Sequence, residues 1–165
     1  MTLLLMRHAD AGDPDPARWP DDRLRPLTAR GIEEHRRVLA ALRQRGVRPA
    51  VILTSPLERA RQTAALTAQT LGGAVEAVDA LGEAFSARAL LGRLATAEVQ
   101  ATVICVGHEP HLSQFAAVLL HPQGPGRLRL ARSGVIALEC AGAPRPGGAR
   151  LLFTIAPQEL PPAQD

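Results

Sequence analysis

Two arginines and two histidines stand where phosphoryl chemistry would need them. Arg7 and His8 directly follow an apolar run at residues 3–6, Arg59 lies just beyond Ser55 at the end of a second run at 50–54, and His108 follows Gly107 after a third at 102–106. A guanidinium is a planar fork of donors that matches two phosphate oxygens at once. A neutral imidazole can attack phosphorus. A second imidazole can donate to the phosphoryl oxygens as charge develops on them, a contribution of about 3 kcal/mol. Nearby guanidinium charge also disfavours imidazolium, which keeps His8 neutral and nucleophilic. A lone histidine after a strand is ordinarily a polar cap, and a lone helix arginine is ordinarily solvated. The reading therefore rests on the joint occurrence of these residues, in order, at three strand ends.

Those ends converge only if the runs are parallel strands of one sheet, since open α/β sheets bind ligands beyond the carboxyl ends of their strands. The spacing predicts this. After the first strand, residues 11–26 are rich in Pro and Asp and form a loop, whose length marks it as functional or mobile. Residues 27–46 have helical spacing, with Thr28 as N-cap and Gly46 as the stop. The second strand runs into Ser55-Pro56-Leu57-Glu58, which reads as an N-cap, a first-turn proline and a capping-box glutamate, opening a helix to Leu71. A weak third strand follows at 74–78, a helix at 86–97, the fourth strand at 102–106 and a helix at 111–120, of which His111 is the first residue. Two further strands, 134–139 and 150–155, flank a Gly/Pro-rich turn at 143–148 and form an antiparallel pair. The fold class is thus α/β, a three-layer α/β/α sandwich with a mostly parallel central sheet and one antiparallel C-terminal strand pair. Helix starts beside the site add N–H donors and positive dipole ends.

The 165 residues suit a single domain spanning 1–165, with 157–165 a loosely ordered, proline-rich tail. All 19 basic side chains are arginine, and there is neither lysine nor tyrosine. With little to titrate between histidine and arginine, a net charge of only +3 carries the isoelectric point to about 10. That is a weak basic bias and not a nucleic-acid footprint. Aromatic residues are confined to Trp19, Phe85, Phe115 and Phe153, which argues against stacking on single-stranded nucleic acid. Cys105 and Cys140 lack paired spacing and read as buried thiols. No apolar run approaches membrane-spanning length, and the amino terminus lacks a basic segment, so a cytoplasmic protein is expected. A metal site is not supported: His108-Glu109-Pro110-His111 lacks the i, i+4 histidine pair, and Pro110 is ill suited to a helix interior.

The segments MRHAD, TSPLERARQTA and VGHEPHLS, in this order, resemble those of the histidine phosphatase superfamily, the phosphoglycerate mutase-like proteins. The small size, with DRLRPLTARG before the second strand, is most similar to its SixA-type phosphohistidine phosphatases. The resemblance spans roughly residues 1–155 and implies a phosphohistidine intermediate on His8, with Arg7, Arg59 and His108 binding the phosphoryl group. It further matches Arg25, Thr28 and Gly31 to a positioning segment, Arg25 and Ser55 being secondary substrate-binding candidates. Ala9 departs from the glycine usual after the nucleophilic histidine. Glu83 stands near the position of the general acid of larger members, although a phosphohistidine nitrogen leaves more readily than an alkoxide. The implied activity is a metal-independent phosphatase without cofactor, acting on a phosphohistidine-containing signalling protein. A phosphatase of small phosphoesters and a non-catalytic phosphoprotein-binding module are the alternatives. Asp10 and Glu109 carry no assigned role.

Overall fold

The computed structural model describes residues 1–121 and 128–161. Strands β1 (Thr2–Arg7), β2 (Val51–Thr54), β3 (Ala74–Ala77), β4 (Thr102–Gly107), β5 (Val135–Cys140) and β6 (Ala149–Ile155) form one sheet in the order β3-β2-β4-β1-β5-β6. The four strands β1 to β4 run parallel, while β5 is antiparallel to both β1 and β6. Helices α1 (Ala29–Gln44), α2 (Glu58–Leu71), α3 (Ala87–Leu94) and α4 (His111–Leu120) complete the sandwich.

Continuous apolar runs are what strands covered on both faces require. Leu3 and Leu5 of β1 lie with Leu53, Val103 and Cys105 on one face, under Leu90 and Leu94 of α3 and Leu112, Phe115 and Leu119 of α4. Leu4 and Met6 lie with Ile52, Ile104 and Val106 on the other, under Val38, Leu39 and Leu42 of α1 and Ala60 and Ala64 of α2. Truncating any of these fully buried leucines to alanine carries a typical cost of about 2–5 kcal/mol.

Register makes the carboxyl edge level. Arg7 pairs with Gly107 and Thr54 with Val106. Beyond the last rungs, His8 N donates to Gly107 O at 3.0 Å and Ser55 N to Val106 O at 2.9 Å. Thr28 caps α1 as expected, its Oγ1 accepting from Gly31 N at 2.9 Å.

Several boundaries differ from the sequence reading. Helix α2 starts at Glu58 behind Leu57, not at Ser55. Ser55 is still tied to β4, and Pro56 disfavours helical geometry in the residue before it, so residues 55–57 make a turn in which Leu57 N donates to Ser55 Oγ at 3.2 Å. Short 3-10 turns appear at Asp22–Leu24, inside the expected loop, and at Asp79–Leu81. Helix α3 stops at Leu94. Within the tail, Pro157–Glu159 forms a 3-10 turn instead of a loose end, because Arg37 donates to the carbonyls of Pro157, Leu160 and Pro161. Residues 162–165 lie outside the described residues.

The tightest backbone approach is at Gly31. A Cβ there would overlap the Asp10 carbonyl, the same oxygen that accepts from Thr28 N at 2.9 Å. Gly31→Ala is expected to destabilise the fold by about 1–3 kcal/mol, as overpacking of a rigid contact does. Urea unfolding measures this; an unchanged midpoint would show that β1 and α1 are not held at this distance.

Candidate active site

The level strand ends open into a cavity of about 340 Å³, within the range of small-ligand sites. His8 stands at its base, with Arg7, Arg59 and His108 on its walls. The rings of His8 and His108 have centroids 5.1 Å apart.

His8 is held in one tautomer. Its Nδ1 lies 2.7 Å from the carbonyl of Ala9, and a carbonyl oxygen can only accept, so Nδ1 carries the proton and Nε2 keeps its lone pair. Burial drives the His8 pKa down to about 3; the bond to Ala9 opposes this, and the positive charges around it, from His108, Arg59 and Arg7, add to it. His108 is lowered to about 4, again first by burial and then by Arg59, His111 and Arg7. Both rings are therefore neutral at pH 7. Burial, more than the arginines to which the sequence points, keeps His8 neutral.

The arginines are fixed from behind. Arg7 Nη1 donates to Leu130 O at 3.0 Å, and Arg59 Nη1 to Asp22 O at 2.9 Å and to Asp22 Oδ2 at 3.1 Å. Nε of each is buried with no partner among the described residues, and only Nη1 of each is bonded there, so Nη2 is the donor left for an anion. Asp22 also accepts from Arg25 Nε at 2.7 Å, and its carboxyl is held below the usual range by that bond and, after it, by the charge of Arg59.

Arg25 reaches the cavity wall, but its Nη1 is spent on Ala11 O at 3.0 Å and Gly12 O at 2.6 Å. The structure thus places it as a clasp for loop 11–26. Ser55 is fully buried, and its Oγ lies 2.8 Å from His108 Nε2, where it orients the imidazole instead of lining the cavity. Glu83 does line the cavity, on its exposed rim. The helix starts offer fewer donors than expected: Leu57 N is taken by Ser55 Oγ, and Ser113 N by Glu109 Oε1 at 3.1 Å.

Three residues gain roles that the sequence reading left open or missed. Asp10 ties the site together, accepting from Thr28 Oγ1 at 3.1 Å, Gly12 N at 3.2 Å and Arg132 Nη1. Burial raises the Asp10 pKa, but these bonds and the Arg132 charge outweigh it and hold the carboxyl below the usual range. His111 both begins α4 and lines the cavity, stacked on Phe85 with centroids 4.9 Å apart. Arg132 lines the opposite side from the turn before β5. Its signal was topological: an antiparallel strand begins where parallel neighbours end, so the residues before β5 reach the same edge. Among the described residues, no group of three or more His, Cys, Asp or Glu side chains is arranged to hold a metal ion.

Residues 3–87, which supply Arg7, His8 and Arg59, match the family model of the histidine phosphatase superfamily, branch 1. The chain belongs to this superfamily. An uncharacterized protein of Picosynechococcus is 36% identical over 146 residues, covering 87% of each chain. The solved protein histidine phosphatase SixA in complex with tungstate shares the fold, with a TM-score of 0.82 over 96% of this chain and 99% of that one at 22% identity. A Nakamurella structure described as a SixA phosphohistidine phosphatase is 29% identical, with a TM-score of 0.72 over 94% and 95% of the two chains. The protein is a SixA-like member of the superfamily, with the phosphoglycerate mutase-like fold, and a phosphatase. No described helix is long and apolar enough to cross a membrane.

Two buried histidines and one half-buried one make the stability of this phosphatase depend on pH. His8, His35 and His108 all have folded pKa values below the usual 6.5, at about 3, 4 and 4. Below pH 6.5 the unfolded chain binds more protons than the folded one, so stability falls as pH falls, by up to about 1.4 kcal/mol per pH unit for each histidine, until the folded values are reached. Urea unfolding between pH 7 and 4 should show this slope, and a flat profile would contradict the burial. Imidazole nitrogen NMR should find His8 protonated on Nδ1 alone, with no titration near pH 6.5.

Proposed function

We propose that this phosphatase removes the phosphoryl group from phosphohistidine in a signalling protein, through a covalent phosphohistidine on its own His8 and without a metal. The observation that carries the reading is the tautomer of His8: a neutral imidazole with Nε2 unprotonated, beside the half-buried guanidinium of Arg7, the buried one of Arg59 and a second neutral imidazole. In the first step the Nε2 lone pair forms a bond to phosphorus while the P–N bond to the substrate imidazole breaks. Its electron pair stays on the substrate nitrogen, which takes up a proton from solvent. In the second, water attacks phosphorus, the P–N bond to His8 breaks, and inorganic phosphate leaves with His8 restored. Arg7 and Arg59 hold the phosphoryl oxygens in both steps, and His108, set by Ser55, donates to them as charge develops.

The choice of phosphohistidine over small phosphoesters rests on the leaving group. An alkoxide needs a well-placed acid, yet Glu83 is exposed on the rim, and Glu109 spends its two oxygens on Ser113 N and Ser113 Oγ. An imidazole nitrogen leaves with less help. The likeness to SixA structures supports this reading, and the phosphoester phosphatases that share the fold are why phosphoesters belong in the test.

Phosphate release is measured from a phosphohistidine protein and from a panel of phosphoesters, with and without chelator. The wild type should act on the phosphohistidine protein, His8→Ala should lose turnover, and Arg59→Ala or His108→Ala should lower kcat by about a hundredfold to a thousandfold. Release from phosphoesters alone would move the assignment to small substrates. Equal activity in His8→Ala would refute the covalent route, and loss of activity on adding chelator would refute metal independence.

A further inference from the structure

A second groove runs from the rim of the catalytic cavity. Its volume is about 610 Å³, larger than the cavity itself, and the two share Leu57, Gly82 and Glu83 as a common wall. The groove is lined by Arg23 and Leu24 of the 3-10 turn at Asp22–Leu24, by Glu58 and Arg61 at the start of α2, and by Asp79. Its lining includes an apolar group: Leu24, which is 61% exposed, with Pro56, Leu57 and Ala84. Its charge is the reverse of the cavity's. The catalytic cavity is walled by Arg7, Arg25, Arg59 and Arg132. In the groove the guanidinium of Arg23 is taken by Asp21, at 2.9 and 2.7 Å, which leaves Glu58, Asp79 and Glu83 against Arg61.

An anion-binding hole continuous with an apolar, acidic groove fits one kind of occupant. A free phosphorylated amino acid fills the hole and leaves the groove empty. A polypeptide carrying that residue extends beyond the hole, and its flanking side chains meet the groove. Apolar anchors framed by complementary charge are how short segments are commonly recognised. We infer that the groove is the docking surface for the polypeptide segment flanking the phosphorylated histidine of a protein substrate, with preference for an apolar residue next to a basic one. The inference rests on the phosphohistidine reading of the cavity and adds to it where substrate selectivity resides. Leu24 and Asp79 read the flanking sequence without touching the phosphoryl group. Glu83, on the shared wall, faces both chambers, so its position suits contact with a flanking basic residue.

The test compares three probes: free N-phosphohistidine, a phosphohistidine peptide with flanking Leu and Arg, and a peptide of equal length with flanking Gly and Glu. For the wild-type protein, kcat/KM should be at least tenfold higher for the Leu/Arg peptide than for the other two, mainly through KM. Leu24→Ser and Asp79→Arg should bring the Leu/Arg peptide down toward free phosphohistidine while leaving turnover of the free compound unchanged. Equal kcat/KM for all three probes would overturn the groove and leave the catalytic reading intact. So would variants that slow the free compound and the peptide alike. Failure to hydrolyse any of the three would remove the phosphohistidine reading and this inference together.

Discussion

The parallel register of β2, β4 and β1 is the constraint on which the site depends. Arg7 is level with Gly107, and the next backbone bonds, His8 N to Gly107 O and Ser55 N to Val106 O, carry the pairing one step past each strand. Three segments far apart in the chain therefore end at one height. The first supplies the proposed nucleophile and a guanidinium, the second the serine that orients His108, and the third His108 itself. A slip of one residue in any strand would turn its core side chains to the wrong face. Such a slip would also take Arg7 and His8 out of level with Gly107, so the observed register, with Leu3 opposite Val103 and Met6 opposite Val106, fixes the geometry of the site.

Positive charge concentrated at such an edge would repel itself without counter-charges. Asp22 lies between Arg25 and Arg59, and Asp10 accepts from Arg132 while its backbone oxygen receives Thr28 N. The Asp22 carboxylate joins two arginines and the Asp10 carboxylate joins Arg132 to the backbone of Gly12, so neutralising charge and fixing geometry are the same interaction. The missing side chain at Gly31 lets α1 approach Asp10 closely enough for this. On the other side, Ser133 adopts a left-handed φ of 60°, and its N–H donates to His8 O at 3.2 Å. The backbone of His8 is thereby held by β4 on one side and by the turn before β5 on the other.

Much of this was legible in the chain. The apolar runs are unbroken because both faces of the sheet are covered, and each of the three that carry the site is followed by polar residues with no structural reason to cluster. Thr28 and the helix from His111 to Leu120 were readable from local signals alone. What was hidden depends on tertiary contact. Ser55 looks like a helix cap because Ser-Pro-x-Glu has that local preference, but the sheet bond to Val106 and the imidazole of His108 outcompete it. Asp22 and Asp10 look like loop acids until the arginines they bind are placed beside them. Arg25 resembles a phosphate ligand by its type, yet its donors are consumed by the loop it closes. Arg132 could be found only by recognising that the antiparallel strand starts at the edge where its neighbours end.

The central claim is that His8 Nε2 becomes bonded to phosphorus during turnover, and trapping that species tests it most directly. The protein is mixed with a phosphohistidine substrate, quenched in base within the first turnover, digested, and the adduct located by mass spectrometry, with phosphorus NMR distinguishing the two ring nitrogens. The account predicts a single phosphoryl group on His8, attached at Nε2, stable in base and lost in acid. Turnover with no adduct on His8, or an adduct on His108 or on Nδ1 of His8, would contradict it.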